Sequence, residues 1–381
     1  MSFAQLSVIG LLALLGPLLA LPKSWRLPVV LGELLGGLFL GRSGVGYLDA
    51  QDPTFTLLAD IGFALVMFVV GSHVPLRNGD LRPALRVGVR RALAVGVVAA
   101  ALGLLLARVF DLPHAGLYGV LMASSSAAVV LPALDSLGLQ GRPVLELLPQ
   151  VALADAACVV ALPLVIDPAN AVRAAFGSVA VIVAAVVFFV VLRHVERSGA
   201  RERLHDVSED RKFALELRIQ LSLLFALAAL ALWLHVSILL AGFSFGLAVA
   251  AVGEPRRLAK QLFALTEGFF GPLFFVWLGA TLDLREFGQH PRLIPLGLCL
   301  GLGAPLAHLA GRLLGQPTPL ALLASAQLGV PVAAATIGTG LGVLTPGEAS
   351  ALMLGALVTI AVAVLGGVRA AGRVPGVGSG A

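Results

Sequence analysis

The chain has 381 residues, 59% of them hydrophobic and only 12% charged. A soluble domain carries roughly 25% charged residues, so too few are present to build a water-facing surface of this size. The net charge of +5 sits in short segments between apolar runs, with no basic stripe interleaved with aromatics, which argues against a nucleic-acid partner.

The first apolar run covers residues 3–22. No basic residue precedes it and Lys23 and Arg26 follow it, which favours a retained span with its N-terminus outside over a cleaved leader. Further spans are expected at 27–45, 54–74, 84–110, 114–137, 143–166, 170–192, 214–233, 236–252, 261–281, 293–314, 318–341 and 347–368. Most approach the roughly 20 residues needed to cross a hydrocarbon core. Residues 193–213 form a mixed-charge cytoplasmic connector, with a short amphipathic surface helix as the alternative, and 369–381 a Gly-rich flexible cytoplasmic tail. With alternating crossings, all but five of the 26 Lys and Arg (Arg42, Arg108, Arg173, Arg285 and Arg292) fall on the cytoplasmic side. That asymmetry supports the orientation and the span count together, because one wrong span would scramble it. The expectation is an all-α polytopic membrane protein of about thirteen transmembrane helices in the cell (inner) membrane, with a cytoplasmic C-terminus. Cys158 and Cys299 lie inside spans without metal-ligand spacing and read as small apolar packers.

Self-similarity recurs at an offset of roughly 205 residues, about half the molecule. Leu58-Ala-Asp-Ile-Gly, running to Gly71, resembles Leu265-Thr-Glu-Gly, running to Gly279. Ala123-Ser-Ser-Ser-Ala-Ala-Val-Val-Leu falls opposite Ala326-Gln-Leu-Gly-Val-Pro-Val-Ala-Ala. Chance similarity is the competing reading in so apolar a chain. Taken as real, the repeat divides the spans into six, a linker and six, and an odd number of crossings between equivalents inverts the halves, a build typical of alternating-access transporters.

Matching interruptions in the two halves point to a transport site. They are Ser124-Ser-Ser-Ala-Ala-Val-Val-Leu-Pro132 and Gln327-Leu-Gly-Val-Pro-Val332. Gly, Ser and Pro free backbone carbonyls that could coordinate a cation; the alternative is a pair of kinked packing helices. Between the breaks in sequence lies Asp155, mid-span with no neighbouring charge. A lone intramembrane carboxylate is functional by default and could hold either a proton or a monovalent cation; the alternative is a structural helix cap. Glu33, Asp60 and Glu267 also fall in or at the edges of spans, as interfacial residues or ion ligands. The seven histidines form no HxxxH or HExxH pattern, so no transition-metal centre is expected. The serines have no nearby His/Asp partner, which argues against hydrolase chemistry.

These elements resemble a known family. Leu31-Gly-Glu-Leu-Leu-Gly-Gly-Leu-Phe-Leu-Gly, Ser125-Ser-Ala-Ala-Val-Val-Leu-Pro and Thr266-Glu-Gly-Phe-Phe-Gly-Pro-Leu-Phe-Phe-Val are similar, in order, to signature elements of the second monovalent cation:proton antiporter family, over its membrane domain. The resemblance implies a homodimer, with residues 1–74 and 214–281 as dimerisation helices. It implies a mobile core of 84–166 and 293–368, containing two broken crossing helices, with 170–192 as linker. It places Asp155 on the family's essential carboxylate and Ser125 and Ser126 on the broken-helix pair, with Ser124, Glu33, Gln327 and Glu267 as possible support. Electrogenic members carry a second Asp immediately before the first and a Lys in the eleventh span. This chain has Ala154, and no Lys in 298–306.

The function expected is exchange of Na⁺ or K⁺ for H⁺ by alternating access, electroneutral with Asp155 as the shared site, without a cofactor and not as an enzyme. The alternatives are a related carrier for an organic anion and a non-transporting membrane sensor on the same scaffold.

Overall fold

The computed structural model describes residues 1–21, 29–72, 81–198, 213–234, 236–253, 256–282, 285 and 289–371. Among the described residues the regular structure is all helical. In chain order the helices are α1 (Phe3–Ala13), α2 (Leu15–Ala20), α3 (Val29–Leu40), α4 (Pro53–Ser72), α5 (Leu81–Phe110), α6 (Ala115–Ala123), α7 (Ala127–Ser136) and α8 (Arg142–Ile166). There follow α9 (Ala171–Arg197), α10 (Leu215–Trp233), α11 (Ile238–Val252), α12 (Arg256–Leu265), α13 (Gly271–Thr281), α14 (Leu293–His308), α15 (Thr318–Ala324), α16 (Gly329–Gly340) and α17 (Glu348–Ala371). A π turn, Thr266–Phe270, joins α12 to α13, and a 3-10 turn, Leu309–Leu314, extends α14.

Among the described residues nine helical segments are long and apolar enough to cross a membrane, and Phe3–Leu19 and Ile238–Val252 are shorter apolar helices. The solvent these helices require is legible in their outer faces. Val97, Phe176 and Trp233 are exposed by 71%, 73% and 75%, an arrangement that aggregates in water and is at rest in lipid. Of the two cysteines, Cys158 is buried and Cys299 is exposed. The helix expected to end at 192 runs on to Arg197, so part of the expected connector is helical. Its residues 199–212 lie outside the described residues, as does the tail beyond 371.

The chain separates into two compact units. The first holds residues 1–13, 33–78 and 168–281; the second holds 14–32, 79–167 and 282–381.

The first unit is built on close helix contacts. In lipid no hydrophobic drive brings apolar helices together, so small residues that let backbones touch supply the packing. On α4 and α11 those residues interlock. A Cβ on Gly246 would overlap the Phe68 carbonyl oxygen, and one on Gly71 would overlap that of Phe243. Rings fill the space beside the contact: Phe68 lies 5.4 Å from Phe245, and Phe63 stacks on Phe274 at 4.7 Å. The Trp277 indole N–H, which needs an acceptor when buried, donates to the Ala50 carbonyl at 2.9 Å. Gly246→Leu is expected to lower stability by at least about 2 kcal/mol, because the atom it would strike is backbone that cannot rotate away. Thermal unfolding of the purified protein checks this; an unchanged Tm would mean that α4 and α11 do not make this contact.

The second unit holds both interrupted segments. Proline inside α8, at 149 and 163, removes backbone donors mid-helix, which membrane helices tolerate where neighbours re-satisfy the freed carbonyls. The start of α17 is tied down by Glu348, which is fully buried. Its Oε2 accepts from the Thr345 amide and hydroxyl, each at 2.9 Å, and its Oε1 accepts from Tyr118 at 2.6 Å and lies 2.7 Å from His114 Nδ1. A carboxylate at a helix N-terminus is favoured by the helix dipole, and the bonds to Tyr118 and His114 fasten α17 to the beginning of α6.

Candidate ion site at the crossing of two broken helices

Helix α6 stops at Ala123 because three consecutive serines offer the backbone alternative hydrogen bonds. Ser124 turns extended (φ −69°, ψ 151°) and its hydroxyl donates back to the Leu121 carbonyl at 2.8 Å. Helix α7 begins again at Ala127. The second break repeats the arrangement with other residues. Helix α15 stops at Ala324, the Ser325 hydroxyl donates to Leu322 at 2.7 Å, and α16 begins at Gly329 with Pro331 in its first turn, where a missing N–H does no harm.

The two breaks meet. The Ser126 amide donates to the Ala326 carbonyl at 2.7 Å, and the Ser125 hydroxyl donates to Ala324 at 2.6 Å. In the other direction Gln327 Nε2 donates to Leu121 at 2.6 Å. The reading from sequence left the freed carbonyls open to a cation. Instead, those of Leu121, Ala324 and Ala326 accept hydrogen bonds from the opposite break, since an unpaired buried carbonyl is costly.

Asp155 supplies the charge. It lies on α8, is 3% exposed, and its Oδ2 accepts from the Ala127 amide, the first of α7, at 3.1 Å. A carboxylate facing a helix N-terminus is electrostatically favoured. Ser124, Ser125 and Ser126 are each at most 2% exposed, and Gln327 is 4% exposed. The crossing and its carboxylate thus contain Asp155, the three serines and Gln327. Glu33 and Glu267 are not part of it. Both belong to the first unit, where Glu33 is 3% exposed and within electrostatic reach of Glu267.

One residue of the crossing escaped the sequence reading. Thr359 of α17 is fully buried, and its hydroxyl accepts from the Gln327 amide at 3.1 Å while donating to Ala356 at 2.7 Å. A lone threonine in an apolar run carries no local signal; only its place beside the second break marks it. Thr359→Val keeps the shape and orphans the Gln327 amide, so a stability loss of about 1–3 kcal/mol is expected. Urea or thermal unfolding in detergent reads it directly, and a neutral result would mean that water replaces the hydroxyl.

An all-helical polytopic fold among the described residues, with two helices interrupted at one crossing beside a buried carboxylate, is the build of a membrane transport protein. The profile of the family described as "Sodium/hydrogen exchanger, transmembrane" matches residues 10–369, and the chain belongs to that family. It is 26% identical over 310 residues to a putative Na⁺/H⁺ antiporter, YjbQ, of Bacillus subtilis, covering 77% of this chain and 50% of that protein. This chain therefore spans about half the length of that relative. It is 26% identical to the Na⁺/H⁺ antiporter NhaS4 of Synechocystis, covering 73% of this chain and 72% of the other. It is 25% identical to the Na⁺/H⁺-K⁺ antiporter GerN of Bacillus cereus, with the same coverages. A solved structure of the sodium proton antiporter MjNhaP1 of Methanocaldococcus jannaschii has the same fold, with a TM-score of 0.69 at 17% identity over 97% of this chain and 96% of that one.

Proposed function

We propose that this protein exchanges a monovalent cation, Na⁺ or K⁺, for protons by alternating access, with Asp155 as the shared site and Ser125 and Ser126 lining it. The carrying observation is the Asp155 carboxylate, withdrawn from water and set against the first amide of α7 inside the crossing. A charge in that position demands compensation. A proton or a hard monovalent cation provides it, and each excludes the other, which is the minimal physics of antiport. Family membership supports the same reading, and the names of NhaS4 and GerN support Na⁺, with K⁺ as a second candidate.

The residue before Asp155 is Ala154, and α14 contains no lysine. A single carboxylate that trades one proton for one cation moves no net charge, so exchange is electroneutral. In this proposal residues 84–166 and 293–368 are the moving core, and residues 1–74 and 214–281 hold the interface of a homodimer in the inner membrane, with the N-terminus outside. The physiological role that follows is pH and cation homeostasis. Solid-supported-membrane electrophysiology paired with a pH dye tests the reading. The expected result is a Na⁺- or K⁺-induced pH change with no transient current. A current would overturn electroneutrality, and neither signal would overturn exchange.

A further inference from the structure

A second polar cluster in the second unit has no part in the crossing. Arg91 of α5 is 2% exposed although it lies inside an apolar span. Its Nη2 donates to Glu146 Oε2 of α8 at 2.9 Å and to the Leu314 carbonyl, at the end of the 3-10 turn, at 3.3 Å. Its Nε and Nη1 are buried with no hydrogen-bond partner. Gln150 stands one turn beyond Glu146 on the same face of α8, is 1% exposed, and neither of its amide atoms has a partner. Gln316, two residues past Leu314, is 4% exposed and is equally unpartnered. The elements are tightly seated here: a Cβ on Gly88, one turn before Arg91, would come within 2.8 Å of the Gln150 backbone nitrogen, and one on Gly311 would overlap Gln316 Oε1.

Six buried polar atoms thus lie on α5 and on the two elements that Arg91 joins, α8 and the end of the 3-10 turn, each costing roughly 1–3 kcal/mol if unmet. Four of the six are N–H-bearing nitrogens. Glu146 Oε1 also accepts from Arg142 Nε at 3.1 Å, but Arg142 is 88% exposed, so the buried positive charge is that of Arg91. Surplus donors around a buried guanidinium call for an anion small enough to enter a packed junction, with the two amide oxygens left to its accompanying water.

We propose that Arg91, Gln150 and Gln316 form a binding site for a small monovalent anion of the chloride or nitrate class. The site is separate from Asp155 but shares a helix with it. Gln150 and Asp155 are five positions apart on α8, about 140° around its axis. Occupancy therefore acts on the opposite side of the rod that carries the carboxylate.

The test is thermal unfolding of the intact purified protein in sodium chloride, sodium nitrate and sodium gluconate at matched concentrations. The expected result is a saturable rise in Tm of about 2 °C or more in chloride and nitrate over gluconate. In the double variant Gln150→Leu/Gln316→Leu, where apolar groups of similar size replace the orphaned amides, that rise is lost while the protein stays folded. Equal Tm values in the three salts, or an undiminished rise in the double variant, overturn the proposal. Bromide-soaked crystals give a readout on the wild type alone. An anomalous peak at the Arg91 guanidinium supports the site, and ordered water without a bromide peak overturns it. Neither measurement depends on cation exchange, so this proposal and the transport reading fail separately.

Discussion

In everted vesicles carrying Asp155→Asn, adding Na⁺ or K⁺ is expected to produce no pH change above that of vesicles lacking the protein. Asparagine has the shape of aspartate and keeps an oxygen that can accept from the Ala127 amide at the start of α7. The crossing of the two breaks does not depend on the charge: its bonds run between Ser125, Ser126, Leu121, Ala324, Ala326 and Gln327. What the substitution removes is the negative charge and the ionisable oxygen to which the proposal assigns the cation and the proton. Stability should change by no more than about 1 kcal/mol, and the protein should reach the membrane in normal amount. Loss of exchange with unchanged Tm then separates a transport role from a structural cap. Exchange that survives Asp155→Asn would end the proposal that this carboxylate is the shared site.

The second large effect is expected at Glu348, and it is one of stability. Glu348→Ala removes the acceptor for the Thr345 amide, the Thr345 hydroxyl and the Tyr118 hydroxyl, together with the partner of His114. The side chain is fully buried, so water cannot take its place without opening a cavity. Removing one partner from such a site costs about 3–5 kcal/mol. Glu348→Gln is isosteric: its amide oxygen can stay on Thr345 while its NH2 faces the Tyr118 hydroxyl and His114 Nδ1, which must then accept rather than donate. What it loses is the carboxylate charge behind those bonds, about 1–3 kcal/mol. Thermal unfolding ranks the three proteins, with wild type above Gln and Gln above Ala. An alanine variant as stable as wild type would mean that the link between α6 and α17 bears no load.

The two predictions differ in how far a reader of the sequence could have foreseen them. Asp155 is conspicuous, an isolated acid in the middle of an apolar run, and membrane physics alone makes such a residue suspect. Glu348 stands at the edge of a span, where acids are ordinary. A signal for it did exist, since Thr345-Pro-Gly-Glu348 has the spacing of a helix capping box, in which the acid reaches back to the threonine amide. That motif accounts for Oε2 and Thr345. It says nothing of Oε1, whose partners His114 and Tyr118 lie more than two hundred residues away in the chain.

The same division runs through the rest of the molecule. Hydropathy, basic-residue placement and the serine, glycine and proline interruptions are local properties. A helix in lipid must satisfy its own backbone, so a local run suffices to announce it. On that basis the sequence by itself determined the all-helical membrane class, the two broken segments and the isolated carboxylate. Tertiary structure alone decided who meets whom: that the carbonyls of Leu121, Ala324 and Ala326 are taken by donors of the opposite break, that Thr359 holds the Gln327 backbone amide, and that Arg91 reaches Glu146 with hydrogen bonds left over. The physical reason is that lipid leaves no strong pattern on an inner helix face. Packing there rests on small residues at particular contacts and on a few buried hydrogen bonds, and their partners are chosen by three-dimensional approach, which spacing along the chain does not encode.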